Sequence, residues 1–96
     1  MEELSTHADL DADVLTALSQ CPSLPTYVIR NTLVMGFKCR KWPSKLPTSR
    51  VRRSCRRLEA AGHVKEVHTF YAVHKCWAIT ASGRAALQAT EHTNGK

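Results

Sequence analysis

The chain has few glycines, four in 96 residues and none clustered, so it offers no loop of the kind whose backbone amides cradle a nucleotide phosphate. It lacks long hydrophobic runs as well. The longest, such as Leu33 to Met35, are far too short to span a bilayer, and the acidic start Met1-Glu2-Glu3 is not the basic beginning of a signal peptide. No two cysteines form a CxxC pair. Cys21, Cys39, Cys55 and Cys76, even with His63, His68 and His74, match no compact zinc site, and in an intracellular chain the thiols are expected to be reduced. Nucleophile motifs are missing, and the acids gather near the N-terminus away from any histidine partner, so no enzyme, cofactor or bound metal is expected.

Charge of one sign is missing from each of two long stretches. Residues 1–29 contain no lysine or arginine but carry Glu2, Glu3, Asp9, Asp11 and Asp13. Residues 30–57 contain no acid but carry Arg30, Lys38, Arg40, Lys41, Lys45, Arg50, Arg52, Arg53, Arg56 and Arg57. The net charge is +6, and its polarisation predicts one basic face, the footprint of a nucleic-acid binder.

What is present reads as one small domain over residues 9–90, with a flexible start at 1–8 and a polar tail at 91–96. Leu10, Val14, Leu15 and Leu18 recur at helical spacing, and Asp9, Asp11 and Asp13 lie near the favourable end of that helix's dipole. Pro22 and Pro25 stop it. Thr26 is expected to cap a second helix, with Ile29 and Leu33 on its inner face, that ends near Gly36. The stretch 36–47 is irregular and basic, and Phe37, Trp42 and Leu46 are expected to pin it to the body of the domain.

Thr48 to Ala61 predicts a third helix, capped by the Thr48 hydroxyl and ended at Gly62. On its wheel Val51, Cys55 and Leu58 share one side while Ser49, Arg53, Arg56 and Ala60 face the other. Five arginines on one short helix repel one another unless a polyanion is near. Two strand-like runs follow, 63–68 and 74–80, then a closing helix capped by Thr80. The order is helix, helix, basic helix, hairpin, helix: mainly α with a small β-hairpin, an α+β class.

Two segments carry a resemblance. Ser49 to Val64 (SRVRRSCRRLEAAGHV) resembles the recognition helix of small regulators of the MarR, ArsR and PadR type, with Val51, Leu58, Glu59, Gly62 and Val64 in the family's places and Cys55 where a larger aliphatic is usual. Trp77 to Leu87 (WAITASGRAAL) is similar to the family's last wing strand running into its closing helix, with Thr80, Gly83 and Leu87 matching. The resemblance covers about Leu10 to Gln88 and implies a winged helix-turn-helix domain. The segment between the second and third helices departs from the family, being twelve residues long where a few are usual.

That resemblance implies sequence-specific binding of double-stranded DNA, and transcriptional regulation as a homodimer in the cytoplasm at the nucleoid, or in a host cytoplasm for a virus-encoded chain. With the third helix in the major groove, Arg53 is the foremost base-reading candidate, followed by Ser49, Arg50 and Arg56. Lys45, Thr48, Arg52 and Arg57, with Lys65, His74 and Lys75 of the wing, are candidates for phosphate contacts. Arg52 and Arg57 have a competing use in pairing with Glu59 or another acid. Phe70, Tyr71 and Val73 at the wing tip are candidates for a protein interface or for folding back onto the domain. Two other readings fit the same residues: an interaction adaptor of a viral or mobile-element complex, and sequence-independent nucleic-acid binding.

Overall fold

The computed structural model describes residues 7–36, 41–67 and 76–94. Helix α1, His7–Leu18, starts slightly before the expected Asp9 and buries Leu10, Val14, Leu15, Ala17 and Leu18 along one stripe. A short strand β1, Leu24–Pro25, follows where irregular chain was expected. Helix α2 is Thr26–Met35, and Gly36 closes it at φ 75°, its N–H reaching the Leu33 and Thr32 carbonyls. Helix α3 is Thr48–Ala60. Strands β2, Val64–Val67, and β3, Cys76–Ile79, form the hairpin, and α4, Ala81–Asn94, closes the fold.

The threonines that open α2 and α3 do not cap them. Pro25 and Pro47 occupy the N-cap positions in extended conformation with no side-chain cap bond. A proline there has no N–H to leave unpaired and its backbone already precedes a helix well. Thr26 is free to serve elsewhere. It is buried, and its hydroxyl accepts a hydrogen bond from Trp77 Nε1 at 2.9 Å. Thr80 does cap its helix, its Oγ1 accepting from the Gly83 N–H at 3.0 Å.

The sheet has the antiparallel order β1-β3-β2, so β3 is central and all four of its residues are buried. Leu24 lies opposite Trp77 and Pro25 opposite Cys76; proline is tolerated because β1 is an edge. The core joins Leu10, Val14 and Leu18 of α1, Ile29 and Leu33 of α2, Val51, Cys55 and Leu58 of α3, and Trp77. No helix among the described residues is long and apolar enough to cross a membrane.

One corner locks α3, the hairpin and α4 together. Gly62 turns the chain at φ 84°. The Thr80 hydroxyl donates to the Gly62 carbonyl at 2.7 Å, and the Thr80 N–H donates to the His63 carbonyl at 3.0 Å. Gly83 passes so near that carbonyl that a Cβ would collide with it.

Candidate nucleic-acid interface

Helix α3 separates its residues cleanly by face. Val51, Ser54, Cys55 and Leu58 are buried, whereas Ser49, Arg52, Arg53, Arg56 and Ala60 are exposed. The spacing follows from 3.6 residues per turn, and it sends Arg53 directly away from the core. Among the described residues no ion pair or hydrogen bond engages Arg52 or Arg53. Burial drives the Cys55 thiol up to about 12, assisted by the charge of Asp11, so this cysteine is an inert part of the core.

The segment leading into α3 is held from both ends. The Trp42 N–H donates to the Leu33 carbonyl at 3.0 Å, and Trp42 and Leu46 are buried, as expected of them. Trp42 Nε1 donates to Asp13 at 2.7 Å, which gives the buried indole N–H its partner. Arg30 of α2 reaches across the segment, its Nε donating to the Leu46 carbonyl at 3.0 Å and its Nη2 to the Ser44 carbonyl. The start of α3 is thereby fixed against α2. Arg50 lies over the Trp42 ring at 5.8 Å, and Lys45 is exposed just before the helix.

Arg57 and Arg56 of the helix are held by acids. Arg57 forms a forked pair with Asp11 of α1, Nη2 to Oδ1 at 2.7 Å and Nε to Oδ2 at 3.1 Å, and the buried Ser54 hydroxyl donates to the same carboxylate. That pairing with Asp11 raises the Arg57 pKa. Arg56 donates to Glu59 at 2.9 Å, lies 3.5 Å from Glu66 of β2 and sits over the Trp77 ring at 5.0 Å; the bond to Glu59 raises its pKa first. Self-repulsion along α3 is thus relieved in part from within the chain.

The sequence-derived candidates therefore divide. Ser49, Arg52 and Arg53 share one exposed face, with Lys45 exposed ahead of it, Thr48 part-exposed at its first turn, and Lys65 exposed on β2. Arg57 lies apart from this face, tied to α1. Phe70, Tyr71, Val73, His74 and Lys75, like Phe37 and Cys39, lie outside the described residues. The composition gave no hint of the roles of Asp11, Asp13, Arg30 or Glu66. Asp11 and Asp13 read as dipole acids, and nothing local to the sequence marks a partner 46 residues away.

No protein-family model matches the chain, and neither does any curated protein sequence. Solved structures do. The chain is similar to a PadR family transcription regulator from Clostridium difficile, with 15% identity over 88% of this chain and 84% of that one at a TM-score of 0.70. It is also similar to a transcriptional regulator from Clostridium thermocellum, with 15% identity over 95% and 87% at a TM-score of 0.74. RosR of H. salinarum gives 15% identity over 97% and 76% at a TM-score of 0.70. At these identities the likeness is one of fold: the chain has the winged-helix arrangement of four helices and a three-stranded antiparallel sheet.

Proposed function

We propose that this chain is a transcriptional regulator that binds double-stranded DNA, with the solvent face of α3 in the major groove and the β2-β3 wing beside it. One observation carries the reading: Arg52 and Arg53 project from the face of α3 opposite the core, with no partner for either among the described residues. Exposed like charges on one helix face favour a polyanion. Similarity to proteins described as transcription regulators supports the same reading.

In this arrangement Arg53 reads bases, because its planar fork matches the O6 and N7 acceptors of guanine. Ser49 adjoins it, and Arg50 extends the reading surface from over Trp42. Arg52, Lys45, Lys65 and the first turn of α3 at Thr48 grip phosphate. That turn has no side-chain cap; the Pro47 carbonyl takes the Arg50 N–H, so the Thr48 and Ser49 N–H groups are the ones offered to an anion. Arg57 serves the fold instead, joining α3 to α1. The regulator acts as a homodimer on a pseudo-palindromic site, in keeping with the two-fold logic of helix-turn-helix operators.

Selection of bound sequences from a random duplex pool supplies the cognate site. On it, Arg53→Ala is expected to cost about 1–3 kcal/mol and relax preference at one base pair. Uniform weakening across all sequences overturns the base-reading role and leaves a phosphate contact.

A further inference from the structure

The wing's first strand carries an acid where its pattern calls for an apolar residue. Val64 and Glu66 are two apart on β2, so their side chains share a face. Val64 is buried in the core. Glu66 stands directly across the ladder from Trp77 and is only 23% exposed, with Arg56 3.5 Å away. Glu59 takes the same Arg56 nitrogen, Nη1, at 2.9 Å, and the guanidinium covers the Trp77 ring. Trp77 is fully buried. Two carboxylates and an indole from three elements thus converge on one arginine at the junction of α3 and wing.

On the DNA-binding reading, on which this inference rests, that arginine has two uses with opposite consequences. Moving Arg56 to a phosphate takes the shared guanidinium away from both Glu59 and Glu66 and draws their carboxylates toward the DNA backbone, where like charges repel. Contact with a guanine edge is different. O6 and N7 are uncharged acceptors, so Nη1 can stay with its acids while the rest of the fork turns to the base. We propose that Glu59 and Glu66 form a carboxylate clamp that withholds Arg56 from indiscriminate phosphate binding and makes the chain selective for particular DNA sequences. The acids are positioning residues acting through Arg56.

The test compares Glu59→Gln/Glu66→Gln in the wild-type and Arg56→Ala backgrounds, titrating random duplex and the selected site against salt. Glutamine keeps the shape and removes the charge. In the wild-type background the log-log salt slope on random duplex is expected to steepen by about 0.9, the increment for one more phosphate neutralised, and the ratio of selected to random affinity to fall. In the Arg56→Ala background the slope stays put. Equal steepening in both backgrounds, or none in either, overturns the clamp.

A DNA-free arm separates this from failure of the functional reading. In the NMR spectrum of the free protein the Arg56 δ-protons are expected upfield under the Trp77 ring and to return toward ordinary arginine positions in the double variant. If they do not move, the clamp is refuted whatever DNA does. If wild-type chain shows no salt-dependent DNA binding, the functional reading falls, and this use of the clamp falls with it.

Discussion

At the scale of single residues, two glycines near the same corner impose different constraints. Gly62 has φ 84° but open space where a Cβ would stand, while Gly83 has an ordinary helical backbone and the His63 carbonyl against it. Gly62→Ala therefore meets only backbone strain, about 1 kcal/mol. Gly83→Ala must push α4 off the turn and break its capped start at Thr80, and is expected to cost about 1–3 kcal/mol as overpacking does. Urea unfolding of the two variants checks the ranking, and the reverse order would mean that α4 can shift freely. Cys55 gives a pH dependence. Its folded pKa of about 12 lies above the ordinary 9.0, so below pH 9 the thiol is protonated in both states and its contribution is intact. Between those values only the unfolded thiol ionises, and stability falls as pH rises. Wild type is expected to lose about 1.4 kcal/mol per pH unit more than Cys55→Val across that window, read by unfolding at about pH 9.5 to 11.

At the scale of elements, α3 is presented by a segment that it does not contain. Arg30 holds the Ser44 and Leu46 carbonyls, and Trp42 is anchored by Asp13. The unusual length between α2 and α3 is thereby compatible with a fixed helix start. Arg30→Gln is expected to weaken DNA binding several-fold without changing the salt slope, because the arginine acts on the loop; a slope lower by about 0.9 would make Arg30 a phosphate contact instead. Such couplings explain what the sequence could and could not disclose. Val51, Cys55 and Leu58 as a buried stripe, Gly62 as a left-handed turn and Thr80 as a cap were legible because each depends on neighbours within one or two turns. Strand β1 was not, since two residues containing a proline become a strand only when Trp77 and Cys76 lie beside them. Thr26 and Thr48 misled for the related reason that a preceding proline took the cap position. The helical wheel sorted the arginines of α3 into outward and flanking ones, but their tertiary partners, Asp11 for Arg57 and Glu66 for Arg56, lie on other elements and left no local mark.

At the scale of the whole molecule, the acidic N-terminal part and the basic middle part of the chain meet where α1 packs on α3. Asp11 and Asp13 of α1 satisfy Arg57 and Trp42 on the inner side of the α3 region, which leaves the uncompensated positive charge on its outer side. The exposed Lys45, Arg52, Arg53 and Lys65 set the scale of the electrostatic footprint of one protomer. With a phosphate at each of these side chains, Arg53 falling back on the DNA backbone where its cognate base is absent, the log-log salt slope on random duplex is about −3.6. A homodimer with both recognition helices engaged doubles that value, to about −7. Salt titration by fluorescence anisotropy, with light scattering on the same sample, therefore measures both footprint and assembly. A slope of about −3.6 with one chain in solution rejects the dimer and keeps the DNA reading. A slope near zero rejects binding through these side chains altogether, because counterions must be released wherever arginine or lysine meets phosphate.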